Sequence, residues 1–158
     1  MIALGIDPGQ TGGLALVSRD PRGKMAVIDA MMMPLVFPTK KATLSWVEAN
    51  TLKLGTEGLA LVIIENVHSM PKQGVASSFQ FGRMFGAVEM LAQAVPNSKT
   101  MYVSPVTWKM YYGLGSAKYA SIELATMMFR TDEFWKLKKH DGIAEAALLA
   151  AYGLEKGL

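Results

Sequence analysis

Four acidic side chains occupy positions where a carboxylate is unexpected, and their chemistry gives the first functional hypothesis. Asp7 ends the apolar run at the start of the chain, and Glu65 ends the apolar run 59–64. Asp141 and Glu145 lie in a C-terminal segment that is otherwise almost wholly apolar. A carboxylate at the edge of an apolar core costs free energy unless a cation or hydrogen bonds compensate it. Each of these four side chains therefore needs a partner.

The donor chemistry of this set favours a hard divalent cation. The chain has no cysteine and two histidines, so oxygen ligands suited to Mg²⁺ or Mn²⁺ are available and a thiolate zinc site is excluded. Two such ions about 3.5–4 Å apart can activate a water and stabilise the leaving oxygen of a phosphodiester. A simpler alternative remains open for two of the acids: Asp7 could cap the turn near Gly9, and Asp141 could cap a helix.

The strand pattern places two of the acids at one edge of a sheet. The residues before Asp7, with 14–18 and 24–31, predict three consecutive strands in an antiparallel meander. The continuous apolar run before Glu65 is typical of a central strand buried on both faces. If that strand lies parallel to the first, Asp7 and Glu65 meet at its carboxyl edge, where open α/β sheets bind ligands. We expect a mixed five-stranded α/β sheet with helices on both faces, in one domain over 1–158.

The remaining segments predict one further strand and five helices. The strand covers 99–104, and the helices cover 40–54, 78–95, 105–111, 118–128 and 141–152, the last ended by Gly153. Positions four apart lie about 40° from each other around a helix axis, so Asp141 and Glu145 share a face. His140 lies about 140° from Glu145 by the same geometry.

Positive charge is concentrated in the middle of the chain. Residues 70–140 carry nine basic and four acidic side chains, against six of each in residues 1–69, within a net charge of +3. Basic patches are the usual footprint of nucleic-acid binding, and a solvated surface that maintains solubility is the alternative. The candidate phosphate contacts are Lys72, Arg83, Lys109, Lys118, Lys138 and Lys139.

Composition excludes other classes of protein. Without cysteine there is no disulfide framework. The first thirteen residues have no basic leader or cleavage pattern, and no apolar run reaches the length of a membrane span. We expect a cytoplasmic protein with no membrane partner.

Four motifs, in this order, resemble those of a known nuclease family. They are G-I-D-P-G-x-T-G at 5–12, I-I-E-N-V at 63–67, G-L-G-S-A-K at 113–118 and H-D-G-I-A-E-A-A-L-L-A at 140–150. Together they resemble the RuvC-like Holliday junction resolvases of the RNase H-like superfamily. The compact length is more similar to the phage-encoded members than to the longer bacterial ones, which implies a protein of the bacterial cell, encoded by the bacterium or by a phage.

The resemblance implies a homodimeric, Mg²⁺-dependent endonuclease that makes paired symmetric nicks in four-way DNA junctions, without a nucleotide cofactor. Two ions per site are implied, with Mn²⁺ as a substitute. Asp7 matches the family's first-strand metal ligand and Glu65 its central-strand carboxylate. Asp141 and Glu145 match the paired acids of the last helix.

The resemblance also assigns residues that contact DNA and a partner subunit. Lys118 matches a basic residue that contacts the substrate backbone near the cleavage site, and is included among the catalytic residues. His68 falls where many members carry an aromatic side chain that stacks at the junction. The long helix after Glu65 would supply the dimer seam, although its apolar stripe also fits a core. The residues of that seam are Phe81, Met84, Phe85 and Val88.

The chain departs from the family in its last motif. The family spaces its last two acidic ligands three apart, sometimes with His in the first place, whereas Asp141 and Glu145 are four apart and His140 is adjacent. We therefore keep His140 as an alternative ligand or a general acid/base.

Three other functions compete with junction resolution. The actin-like and sugar-kinase fold shares a D-x-G-x-T phosphate loop, but it needs two lobes and a second glycine-rich loop. A non-catalytic protein that binds branched DNA would not need clustered carboxylates, which repel one another. A nuclease of the same fold that processes RNA, or a wider range of branched DNA, fits the same residues.

Overall fold

The computed structural model describes residues 1–9, 11–33, 45–50, 61–68, 74–115, 117 and 119–157. Within them the chain forms five strands, five α-helices and one 3₁₀ turn. The strands are β1 (Ile2–Asp7), β2 (Gly13–Arg19), β3 (Met25–Met32), β4 (Leu61–Glu65) and β5 (Lys99–Val103). The helices are α1 (described over 45–50), α2 (Val75–Gln93), α3 (Pro105–Tyr111), α4 (Ala120–Phe129) and α5 (Asp141–Lys156), with the 3₁₀ turn at Lys138–His140.

All five strands form one mixed sheet in the order β3-β2-β1-β4-β5. β1, β2 and β3 pair antiparallel, and β4 pairs parallel with both β1 and β5. The predicted meander and the predicted parallel neighbours are therefore confirmed. In the β1–β4 register Ile6 lies opposite Ile64, which brings the last residues of both strands to the same edge.

Helices cover both faces of the sheet, as predicted. β1 is buried along its whole length, and its successive side chains point to opposite faces. Ala3 belongs to a core cluster with α3, α4 and α5, whereas Leu4 belongs to a second cluster with Val47 of α1 and Val88 of α2. This two-sided burial explains why the strand has a continuous apolar sequence without alternation.

α5 is longer than the sequence pattern indicates. It starts at Asp141 as predicted, but it runs through Gly153 and ends at Lys156, where Gly157 has a φ of 63°. The prediction that Gly153 stops the helix is wrong. A Cβ on Gly153 would lie 2.5 Å from the Ile63 side chain, so this glycine lets the helix pack closely on β4.

The other helix boundaries differ where the sequence carries little signal. α2 begins at Val75, three residues before the predicted start, because its first turn is exposed and lacks an apolar stripe. α4 begins at Ala120 rather than at 118. The helix predicted over 40–54 lies outside the described residues except at 45–50, which are helical. No described helix combines the length and hydropathy needed to cross a bilayer.

Close packing of α5 on β1 predicts a large effect for one substitution. A Cβ on Gly5 would contact Ala146 O and lie 2.7 Å from Ala150 N, so Gly5→Ala must push α5 off the sheet. We expect a loss of about 3 kcal/mol or more in unfolding free energy, measured by urea denaturation. Gly115→Ala is the control, because no atom of the part of the chain that the structure describes lies within 4 Å of its added Cβ, and it should change stability by less than about 0.5 kcal/mol. Equal stability of the two variants would contradict the packing described here.

Candidate active site

Two buried carboxylates meet at the carboxyl edge of the sheet. Asp7 is the last residue of β1 and is 8% exposed, and Glu65 is the last residue of β4 and is 5% exposed. Their strands are parallel neighbours. The structure thus brings together the two strand-end acids that the sequence pattern singled out.

Each of these two carboxylates accepts a hydrogen bond from a nearby protein donor. The backbone N–H of Gly9 donates to Asp7 Oδ1 at 2.9 Å, which is the turn-capping bond considered as the simpler interpretation of Asp7. Trp108 Nε1 donates to Glu65 Oε1 at 2.9 Å. Trp108 is fully buried and lies one turn into α3, whose N-cap Ser104 accepts from the Thr107 N–H. The short helix therefore carries the indole to Glu65.

Glu145 on α5 is the third carboxylate at this edge. Its Oε1 accepts a hydrogen bond from Ser121 Oγ at 2.9 Å and lies 2.9 Å from Lys109 Nζ. The backbones of Gly12 and Gly142 form a short parallel bridge, which holds the start of α5 against the turn after β1. This contact sets the first turns of α5, and hence Glu145, beside the end of β1.

Burial and the repulsion among these carboxylates raise the pKa values of Asp7 and Glu65. Burial, followed by the Glu65 and Glu145 charges, raises the pKa of Asp7 from 3.8 to about 7, against the lowering effect of the Gly9 bond and of Lys109. Burial also raises the pKa of Glu65, with a contribution from Glu145, while the Trp108 bond and Lys109 act in the opposite direction. Such a cluster favours a bound cation.

Lys109 is the cation that the described structure places among these acids. Burial tends to lower its pKa, but the ion pair with Glu145 and the charges of Glu65 and Asp7 outweigh burial and raise it. The basic middle of the chain predicts Lys109 as a phosphate contact. In the structure its ammonium group instead faces the carboxylates.

Asp141 and His140 lie at the start of α5, beside this cluster. Asp141 Oδ1 accepts from the Gly142 N–H at 3.0 Å, and Asp141 shares a cavity of about 240 Å³ with Lys109, Ser121 and Glu145. Glu145, and not Asp141, is the last-helix acid whose charge raises the pKa of Asp7 and Glu65. His140 Nδ1 is buried and has no hydrogen-bond partner among the described residues.

The donor set fits a hard divalent cation by its chemistry. Asp7, Glu65 and Glu145 offer carboxylate oxygens, the ligands that Mg²⁺ and Mn²⁺ prefer, and burial, followed by the neighbouring carboxylate charges, raises the pKa of Asp7. In the described part of the chain, no three acidic, histidine or cysteine side chains stand at the spacing of a metal-ligand set. The three carboxylates are instead held by donors of the protein itself, which are Gly9, Trp108, Ser121 and Lys109.

Of the other predicted DNA contacts, the structure describes His68, Arg83, Lys138 and Lys139. His68 is exposed just after β4, and Lys138 and Lys139 are exposed on the 3₁₀ turn before α5. Lys138 Nζ lies 5.0 Å from the centroid of the Tyr119 ring. Arg83 is exposed on α2, with its guanidinium 5.8 Å from the Phe79 ring. Lys72 and Lys118 are not among the residues that the structure describes.

Two residues that position the acids were not found from the sequence. Trp108 and Ser121 contact carboxylates 43 and 24 residues away in the chain, and neither stands out from its local pattern. A buried Trp in a short, Pro-opened helix is a weak signal, because most such residues only fill the core.

Comparison with solved structures identifies the fold. The structure of Thermus thermophilus RuvC superposes with a TM-score of 0.68 and 21% identity over 99% of this chain and 97% of that one. T. thermophilus RuvC in complex with Holliday junction substrate superposes with a TM-score of 0.65 and 17% identity, over 99% of this chain and 97% of that one. The yeast mitochondrial Holliday junction resolvase Ydc2 superposes with a TM-score of 0.57 and 13% identity, over 94% of this chain and 75% of that one. No family model and no curated protein matches the sequence. The predicted RNase H-like fold is confirmed by these neighbours.

The raised pKa of Asp7 predicts how stability depends on pH in the metal-free protein. Folded Asp7 keeps its proton up to about pH 7, whereas the unfolded chain releases it near 3.8, so stability falls as pH rises through this interval. Asp7→Asn mimics the protonated acid and should remove this part of the dependence. The variant should be more stable than the wild type at pH 8, by at most about 4 kcal/mol.

Urea unfolding in EDTA between pH 4 and 8 measures this difference. Asp132→Asn is the control, because Asp132 is exposed, and its profile should follow the wild type. Glu65 adds a similar dependence to all three proteins, because burial raises its pKa as well. Superposable profiles for Asp7→Asn and the wild type would contradict the electrostatic description of the site.

Proposed function

We propose that this protein is a divalent-metal-dependent endonuclease that resolves four-way DNA junctions by paired, symmetric nicks. One observation carries the proposal: three acids cluster at the carboxyl edge of a sheet whose fold matches RuvC over 99% of the chain. One of the structural neighbours is RuvC in complex with a Holliday junction substrate. The whole chain, 1–158, would act as a single nuclease domain, in the cytoplasm of a bacterial cell.

In this proposal the acids hold Mg²⁺, with two ions per site and Mn²⁺ as a substitute. Asp7, Glu65 and Glu145 are the ligands best supported by their mutual electrostatics, and Asp141 is the fourth. The bound ions would activate a water and stabilise the leaving oxygen of the phosphodiester. Trp108 and Ser121 orient Glu65 and Glu145 by hydrogen bonds, as partners behind metal ligands commonly do.

Two further residues would act in the chemistry. The buried Nδ1 of His140 has no hydrogen-bond partner within the described ranges, so it is available as an alternative ligand or to accept or donate a proton during cleavage. Lys118 would contact the backbone near the cleavage site.

The DNA surface would surround this edge of the sheet. Exposed Lys138 and Lys139 precede α5, and their charges are available to phosphates. His68 would stack at the junction, and Lys72, Lys109 and Arg83 would add phosphate contacts. Each such contact adds to the salt dependence of binding.

Paired nicks in opposed strands require two active sites, so we propose a homodimer with α2 at the seam. An exposed stripe of α2 supports this assignment, with Phe79 64% and Met90 68% exposed. Between them, no described residue lies within 4 Å of a Cβ added to Gly82 or Gly86, which leaves room for a partner helix. Val88 is buried at 2%, and Met84 and Phe85 pack against the same core. The predicted seam of Phe81, Met84, Phe85 and Val88 lies on the other side of α2 from the exposed stripe, so the partner would contact the stripe of Phe79 and Met90 instead.

The seam predicts the oligomeric state of two matched variants. Phe79→Glu puts a charge in the stripe and should shift the protein from dimer to monomer, measured by sedimentation velocity. Met110→Glu is the control, because Met110 is 75% exposed on α3, and this variant should stay dimeric. A wild-type protein that remains monomeric with and without junction DNA would rule out the dimer.

Cleavage of end-labelled DNA tests the function itself. With Mg²⁺ we expect paired nicks in a four-way junction and none in matched duplex or single strands, and EDTA should abolish them. Asp7→Asn should lower cleavage by more than about 100-fold and retain junction binding, because it removes a metal ligand and no phosphate contact. Asp132→Asn should cut like the wild type.

The same assay separates the competing functions. Metal-dependent cutting of RNA, or of flaps and three-way junctions as well, would keep the active site and widen the substrate class. Junction binding without cleavage in any metal would favour a non-catalytic binding protein. Normal cleavage by Asp7→Asn would refute the assignment of the site.

A further inference from the structure

Lys109 occupies the position where a cation would neutralise the acid cluster. Its Nζ lies 2.9 Å from Glu145 Oε1, at the edge of the sheet where Asp7 and Glu65 end parallel neighbouring strands. The lysine side chain is 35% exposed and lies 5.1 Å from the centroid of the Trp108 ring. The ammonium group therefore pairs with one acid and partly compensates the other two.

A divalent cation would compete with Lys109 for the same negative charge. Two cations beside one carboxylate cluster repel each other, so each lowers the affinity of the site for the other. The lysine stem is flexible, and its residue lines the cavity of about 240 Å³ next to Glu145, which gives the ammonium group space to move. Its ion pair with Glu145 can therefore break without rearrangement of the backbone.

We infer that a divalent cation displaces Lys109 from Glu145 and that the released ammonium group then contacts a DNA phosphate. Metal binding thereby adds one phosphate contact to the DNA surface, and the two binding events become coupled. The coupling is reciprocal: if metal binding raises the affinity for DNA, then DNA binding raises the affinity for metal by the same factor. This inference rests on the proposed function and explains how one residue lies among acids and still belongs to the DNA surface.

The alternative is a fixed counter-ion. In that case Lys109 stays on Glu145 when metal binds, and its loss changes only the local electrostatics. Both possibilities predict tighter metal binding when the positive charge is removed. Only displacement predicts that the number of phosphate contacts depends on metal.

Calorimetric titration with Ca²⁺ tests competition in the absence of turnover. Lys109→Gln should bind Ca²⁺ about five-fold more tightly than the wild type or better. Lys24→Gln is the matched control, an exposed lysine after β2 at the opposite edge of the sheet, and it should leave the affinity unchanged. Lys109→Arg keeps the charge and should restore affinity close to the wild-type value. Unchanged or weaker binding by Lys109→Gln would overturn the inference.

The salt dependence of junction binding tests displacement. Ca²⁺ is itself a counterion of DNA and changes the slope of log K against log[salt] for every variant, so the wild type is compared with Lys109→Gln within each condition. In Ca²⁺ the wild-type slope should be steeper than that of Lys109→Gln by about 0.9, the value for one phosphate contact, and in EDTA the two slopes should agree. Slopes that agree in both conditions, or that differ by the same amount in both, would leave Lys109 as a fixed counter-ion and overturn the inference. Intact strands on a denaturing gel show that binding alone is measured.

Failure of this inference can be told apart from failure of the proposed function. If junctions are cut with Mg²⁺ but Lys109→Gln follows the wild type in both measurements, only the role of Lys109 is wrong. If the wild type binds neither Ca²⁺ nor junction DNA, the proposed function is wrong, and the inference is overturned with it. Circular dichroism of each variant excludes loss of folding as the cause.

Discussion

Repulsion among buried carboxylates is the constraint on which this site depends. Asp7 and Glu65 end adjacent parallel strands, and α5 adds Glu145 from above the sheet. Removing three such groups from water at one edge is unfavourable unless donors or cations compensate them. Gly9, Trp108, Ser121 and Lys109 meet this need in the described structure. The polar contacts around the acids are thus a consequence of where the strands end.

The carboxylates can come together because the helix that carries Glu145 packs closely on the sheet. α5 lies directly on β1 and β2, and the buried positions of α5 are dominated by alanine and leucine. Gly5 and Gly153 remove the side chains that would separate the helix from β1 and β4. Close backbone packing brings Glu145 within electrostatic reach of Asp7, which a bulkier interface would prevent.

The sequence predicted the acids well because each one interrupts an apolar pattern. Asp7 and Glu65 end continuous apolar runs, so their burial and their shared edge followed from periodicity and parallel pairing. Glu145 stood out in an apolar helix, and the resemblance assigned it to the same site. Contacts between distant residues could not be found in this way. The role of Trp108 depends on a partner 43 residues away, and Lys109 looked like any other base in a basic stretch.

Tertiary packing explains two places where prediction from the local sequence failed or left alternatives open. Gly153 is a common helix stop in sequence terms, but here it accommodates Ile63. Val88 belongs to a stripe that fits either a seam or a core, and its burial against the sheet assigns it to the core. In both cases the deciding atoms belong to a strand that is remote in sequence. The helix pattern alone carries no information about them.

α5 is anchored at both of its ends. Gly142 bridges to Gly12 at the first end, and Arg19 Nη1 donates to Leu154 O at 2.7 Å near the other. The position of α5 is therefore set by backbone contacts and by one guanidinium group. Substitution of its exposed residues would leave Glu145 in place, whereas substitution of the anchoring residues would move it. A divergent sequence can in this way preserve the spacing of its acids long after its overall similarity to other proteins has faded.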